Sequence, residues 1–105
     1  MSHRIAQSNQ AKLDVAQIIL HLSNQSVAVA ERFLDSLQES FSFLADFPAS
    51  GELVDEDDQD LRDVRIWQVK NFRSYLIIFR CRGSTIEILR ITHASRDRVD
   101  LWNDR

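Results

Sequence analysis

The order of apolar and polar positions divides the chain into a helical first half and a stranded second half. Leu13, Ala16, Ile19 and Leu20, with Val15, Ile18 and Leu22, recur at spacings of three and four. That spacing predicts an amphipathic helix with a wide apolar stripe over residues 10–23. Ser8 or Asn9 offers an oxygen to the free N–H groups at its start, and His21 with Asn24 and Gln25 ends it. Ala30, Phe33, Leu34, Leu37, Phe41 and Leu44 repeat at helical spacing over residues 27–46, behind Ser26 as a second cap. Pro48 and Gly51 stop this helix, because proline lacks an N–H and disfavours helical geometry in the residue before it. So short a connection makes the pair an antiparallel hairpin. Phe33, Phe41 and Phe43 are expected in its core.

Residues 4–7, with Ile5 pointing inward, suit a short first strand. After a long acidic loop over residues 47–60, three runs of strand character follow at 64–70, 75–82 and 85–92. Hairpin-sized connections, residues 71–74 and Gly83-Ser84, separate them and predict an antiparallel meander. Ser95 is placed to cap a last short helix, with Asp97 in its first turn and Val99 and Trp102 on one side. The expected fold class is α+β, ordered β-α-α-β-β-β(-α): a helical hairpin packed on a small antiparallel sheet.

A two-residue Gly83-Ser84 turn fixes a register. Arg82 faces Thr85, Arg80 faces Glu87, Ile78 faces Leu89 and Leu76 faces Ile91. The opposite face carries Tyr75, Ile77, Phe79 and Cys81 against Thr92, Arg90, Ile88 and Ile86. A three-residue turn would reverse this parity. Both faces are then largely apolar. The hairpin covers one, and apolar surface left open on the other marks a binding site for another chain.

Length and composition narrow the class. A chain of 105 residues, 44% of them hydrophobic, suits one domain spanning 1–105. The apolar run from Val15 to Leu22 is broken by Gln17 and His21 and is too short to span a membrane. No basic region followed by an apolar core and a cleavage site marks a signal peptide. The single Cys81 suits a reducing, cytoplasmic compartment. Net charge is −3, but it is segregated. Glu52, Asp55, Glu56, Asp57, Asp58 and Asp60 crowd one loop, whereas the chain from Leu61 onward is cationic. Such a field steers partners, but the chain is not basic enough for direct sequence-specific DNA binding.

Candidate chemistry is sparse. With only Gly51 and Gly83, no glycine-rich phosphate loop exists. His3, His21 and His93 lack metal-ligand spacing, so neither metal nor cofactor is expected. No spacing singles out a serine nucleophile beside a histidine. One group remains: Arg90, His93, Arg96 and Arg98. Arginines can hold a phosphate, and histidine can move a proton near neutral pH. Equally, Arg90 can pair with a carboxylate, His93 can bond the turn and Arg98 can face solvent. Structural ion networks use these same residue types.

Taken in order, Leu61-Arg62, Val64-Arg65-Ile66-Trp67-Gln68-Val69, Phe72-Arg73-Ser74-Tyr75-Leu76-Ile77-Ile78-Phe79-Arg80 and Ile86-Glu87-Ile88-Leu89-Arg90-Ile91-Thr92-His93-Ala94-Ser95-Arg96-Asp97 resemble the RelE/ParE superfamily of type II toxin–antitoxin toxins. The leading hairpin, with Ala30, Phe33 and Leu37 before Leu44 and Pro48, is similar too. The resemblance covers nearly the whole chain and is strongest over residues 75–80 and 88–97. It implies the same β-α-α-β-β-β core with a small C-terminal helix.

Within that superfamily, RelE-like members cleave mRNA on the ribosome, with basic residues and usually a tyrosine near the C-terminus. ParE-like members inhibit DNA gyrase. Arg96 matches the position of a RelE-type arginine, but the tyrosine's place falls close to Leu101-Trp102. An indole cannot give up a proton as a phenol does. Lys12 and Lys70 are the only lysines, unlike ribosome-directed members, and the ending of the last strand is closer to ParE. The resemblance therefore implies a toxin that inhibits gyrase by binding, without chemistry of its own, and is neutralised by a cognate ParD-like antitoxin. The alternative is a RelE-like ribosome-dependent mRNA endoribonuclease in which Arg90, His93 and Arg96 hold the scissile phosphate. A third reading is a non-toxic relative that keeps the fold. The antitoxin's apolar anchors are expected on Leu76, Ile78, Leu89 and Ile91, with Arg80 meeting its acidic side chains, or on the outer side of the hairpin. Arg96, Arg98 and Trp102 are the candidates for contact with the target.

Overall fold

Ser8 ends the first strand and starts the first helix. Its backbone is extended, and its Oγ accepts from the Ala11 N–H at 3.0 Å. This is the N-cap role that short oxygen side chains perform at helix starts. The computed structural model describes residues 2–54 and 61–94. Within them lie β1 (Arg4–Gln7), α1 (Asn9–Gln25), α2 (Val27–Asp46), β2 (Glu52–Leu53), β3 (Val64–Val69), β4 (Phe72–Arg82) and β5 (Thr85–His93). Ser26 ends α1 and caps α2, accepting from Val29 N at 3.3 Å. The C-terminal helix expected after Ser95, and the acidic run from Asp55 to Asp60, lie outside the described residues.

The sheet runs β1-β5-β4-β3-β2. Its central strands form the expected antiparallel meander, but β1 lies parallel to β5, so the sheet is mixed. The two-residue β2 was not foreseen. It forms where the acidic loop turns back along β3, pairing Glu52 with Ile66 and Leu53 with Arg65. Gly51 makes this possible: its φ is +87°, and a Cβ there would stand 2.3 Å from the Ile66 carbonyl oxygen.

Near the Gly83-Ser84 turn the register is as expected: Arg82 faces Thr85, Cys81 faces Ile86, Arg80 faces Glu87 and Phe79 faces Ile88. Beyond Phe79 it slips by one. Ile78 faces Arg90, Ile77 faces Ile91, Leu76 faces Thr92 and Tyr75 faces His93. The expected Ile78–Leu89 and Leu76–Ile91 pairs do not form, because Leu89 is the extra residue of a β-bulge. Packing explains the bulge. Strict alternation after Ile86 and Ile88 would send Arg90 into the hairpin core, and the extra residue sends Ile91 there instead.

The main core lies between hairpin and sheet. Phe33, Leu37, Phe41 and Leu44 of α2 meet Ile77, Phe79, Ile86, Ile88 and Ile91. α1 contributes a narrower stripe than its spacing suggested. Val15, Ile18, Ile19 and Leu22 pack inward, whereas Leu13 and Leu20 are 58% and 66% exposed. Phe43 is not core either. It stacks on Trp67 at 5.2 Å beside Phe47, forming an aromatic lid at the surface. The second face of the sheet has its own small cluster, Leu61, Val64, Ile66 and Ile78, flanked by Val54, Leu76 and Leu89. That face is therefore partly covered by the chain's own residues, where open apolar surface was expected.

Candidate functional site

The bulge and the first turns of α1 build the end of β5. β1 stops opposite Ile88, so among the described residues the outer edge of β5 beyond that point has no strand beside it. Helix α1 supplies the missing partners. Ser8 N donates to Ile88 O at 2.9 Å, and Ser8 Oγ donates to Leu89 O at 2.9 Å. Two turns later Asp14 accepts from the Ile91 N–H at 3.0 Å.

Asp14 is 6% exposed yet well satisfied. Its two oxygens also accept from Arg90 Nε at 2.8 Å and Nη2 at 3.2 Å, and from Gln10 Nε2 at 3.1 Å. A buried carboxylate needs this many donors to offset lost hydration. Arg90 is thereby committed to a two-pronged structural pair and turned from the solvent-facing role of a phosphate clamp. The sequence already carried a sign of it. An acid at position 14 sits in the apolar stripe between Ala11 and Ile18, on one side of the helix.

His93 is exposed at the end of β5, with its ring edge-on to Tyr75 at 5.0 Å. Tyr75 in turn meets Phe33 edge-on at 5.1 Å, and Phe33 meets Phe72 at 5.2 Å. A run of edge-to-face rings thus leads from the core to the surface, in the arrangement the ring quadrupoles favour. A shallow cleft of about 300 Å³ opens here, lined by Asp14, Gln17, Ile18, His21, Tyr75 and His93 among others. The sequence puts Tyr75 on the same face as Ile77 and Phe79. Its place opposite His93 depends on the bulge. Of the three residues expected to hold a phosphate, the fold thus brings Arg90 and His93 to one strand end but ties Arg90 to Asp14, and Arg96 lies outside the described residues. Arg98 and Trp102 lie outside them too. Among the described residues no group of three or more His, Cys, Asp or Glu could hold a metal ion.

The five residues expected to receive the antitoxin do not share a surface. Ile91 faces the hairpin core and is 2% exposed, a consequence of the bulge. Ile78 is fully buried in the second cluster. Leu76 and Leu89 are half-buried at the margin of that cluster and stay reachable. Arg80 is half-buried, its Nε 2.9 Å from Glu87 Oε1, and Arg82 Nε lies 3.3 Å from the same oxygen. From Leu76 the surface continues into a groove of about 1050 Å³ that passes Ile66 and Arg73 to the Trp67–Phe43 stack. No helix among the described residues is long and apolar enough to cross a membrane.

Comparison with known proteins gives one family and one fold. Residues 5–98 match the family model described as the ParE toxin of the type II toxin–antitoxin system, parDE. A solved structure described as the chromosomal ParDE TA system from P. aeruginosa superposes with a TM-score of 0.70 at 19% identity. It covers 88% of this chain and 96% of its own. No curated protein matches the chain.

Proposed function

The chain belongs to the ParE toxin family of type II toxin–antitoxin systems, and from that membership we propose that it inhibits DNA gyrase by binding and is held in check by a cognate ParD-like antitoxin. The observation that carries this reading is the Asp14–Arg90 pair. A phosphate-cutting site needs cations free to meet charge as it develops in the transition state. Here Arg90 already spends its guanidinium on a buried carboxylate. Inhibition by contact asks nothing of that group beyond holding the fold.

On this reading the antitoxin's apolar anchors dock on Leu76 and Leu89, with Arg80 and Arg82 meeting its acidic side chains. The groove toward Trp67 and Phe43 is a natural continuation, since interface anchors favour desolvated apolar pockets with a polar rim.

Purified toxin added to a gyrase supercoiling assay and, in parallel, to an in vitro translation reaction tests the proposal. Blocked supercoiling with intact mRNA supports it. Codon-linked mRNA cuts with normal supercoiling would overturn it in favour of the ribosome-dependent endoribonuclease.

A further inference from the structure

We propose that the toxin self-associates as a two-fold symmetric dimer through the outer side of α1, with Leu13 of one protomer set against Leu20 of its partner. This surface is separate from the antitoxin reading. It lies on the hairpin side of the sheet, away from Leu76 and Leu89.

The two helices of the hairpin turn different chemistry to solvent. Exposed on α2 are Glu31, Arg32, Asp35 and Glu39 among others, as expected of a helix whose outer side meets water. Along α1 the acidic and basic side chains are Lys12, Asp14 and His21. Asp14 is buried against Arg90, and Ala11, Val15, Ile18, Ile19 and Leu22 pack inward. What remains outside is a stripe of Asn9, Leu13, Ala16, Gln17, Leu20 and Asn24, all exposed and spaced three or four apart. No member of the stripe is charged. Leu13 and Leu20 are one heptad apart, the spacing that brings leucines onto the seam between two packed helices. A helix face with exposed leucines and no charge has the composition of an interface core.

The order of residues selects the occupant. A two-fold contact needs a face that complements itself: where residue i meets j, j meets i. Antiparallel packing of two α1 helices about an axis between Ala16 and Gln17 meets that demand along the stripe. Leu13 faces Leu20, Ala16 faces Gln17 and Asn9 faces Asn24, each pair occurring once on either side of the axis. Apolar meets apolar, amide meets amide, and no like charges are opposed. Ala16 at the centre is small enough for the helix axes to approach closely. The acidic antitoxin suits this face less, since Lys12 beside the stripe is the one permanent cation that α1 offers it. So short a stripe belongs with the small, weak interfaces, below about 1,200 Å² in total, and a dissociation constant in the micromolar range is expected.

Sedimentation equilibrium of the purified toxin, run from low micromolar to submillimolar concentration, tests this. The average mass should rise from monomer toward dimer across that range. Leu13→Glu and Leu20→Lys each set a charge against the partner's leucine. Each should weaken association about tenfold or more. The melting temperature should hold, because both side chains are already exposed. Combined in one chain, the two substitutions put opposite charges face to face on both sides of the axis. Association about threefold or more tighter than in either single variant is then expected, and only in the antiparallel register. A native chain that stays monomeric throughout, single variants that associate as the native chain does, or a double variant no better than the singles overturns the proposal. Loss of antitoxin binding in Leu20→Lys also overturns it, by giving the stripe to the antitoxin.

Discussion

Asp14 and Arg90 lie 76 positions apart and are joined by two hydrogen bonds, with the Ile91 N–H as a third tie between the same helix and strand. Asp14→Ala leaves a guanidinium and a backbone donor without their acceptor. Removing one partner of such a buried pair costs about 3 kcal/mol, because the other charge stays in poor solvent. Urea denaturation should show that loss in the midpoint, and an unchanged midpoint would mean that water replaces the carboxylate at little cost. Asp14→Leu with Arg90→Met should recover much of the stability, since the unpaired guanidinium is gone and only the Ile91 N–H still lacks its acceptor.

Ser8 serves two elements at once, capping α1 through Ala11 N and bonding the bulge at Leu89 O. Ser26 only caps a helix. Loss of a cap costs about 1 kcal/mol, and loss of a further hydrogen bond adds about 1 kcal/mol. Ser8→Ala should therefore destabilise the fold roughly twice as much as Ser26→Ala in matched denaturation curves. Equal losses would show that the bulge does not depend on the cap.

These two serines also mark how far the sequence could be read. Local signals were legible: the Ser26 cap, a first cap at Ser8 or Asn9, the span of α2 and the pairing beside Gly83 follow from short-range geometry. The bulge at Leu89 was not, because it answers a demand of packing that arises only when the hairpin lies on the sheet. With it went the neighbour of Tyr75 and the burial of Ile91. The width of the α1 stripe was overread, since Leu13 and Leu20 are apolar but point outward. Asp14 could have been found. An acid inside an apolar helical stripe asks for a cation, and Arg90 was the strand residue whose place in a core made least sense.

Gly51 lets β2 approach β3, and no other residue type suits that backbone. Gly51→Ala places a Cβ 2.3 Å from the Ile66 carbonyl oxygen at a φ of +87°. Strain and overlap together should cost about 2–3 kcal/mol unless β2 peels away. Amide exchange at Val54, whose N–H donates to Val64 O, distinguishes the outcomes. Fast exchange with a modest change in melting temperature indicates peeling, and slow exchange with a large drop indicates strain held in place.

The role of Arg90 in toxicity can be separated from its role in folding. Arg90→Ala should weaken inhibition of supercoiling only as far as it lowers the folded fraction. The Asp14→Leu and Arg90→Met double variant, folded but without the guanidinium, should inhibit gyrase within about twofold of the native chain, as expected when contact alone is the mechanism. A stable double variant that has lost all activity would give Arg90 a direct part in the toxic step.

Leu76 and Leu89 are the reachable apolar side chains at the margin of the second cluster, while Ile78 beneath them is sealed. Replacing both with aspartate puts charge where the antitoxin's anchors are placed and also repels its acidic groups. A pair of lost anchors is worth roughly 2–4 kcal/mol at an interface of this kind, or about thirtyfold to a thousandfold in Kd. The double variant should keep its circular dichroism spectrum, bind the antitoxin far more weakly and escape neutralisation when the two are co-expressed. With target contact proposed at Arg96, Arg98 and Trp102 instead, its supercoiling inhibition in the absence of antitoxin should be unchanged. Full affinity for the antitoxin would move the interface elsewhere, and the outer side of the hairpin, where Leu13, Leu20, Val27 and Leu34 are exposed, would be the surface to mutate next.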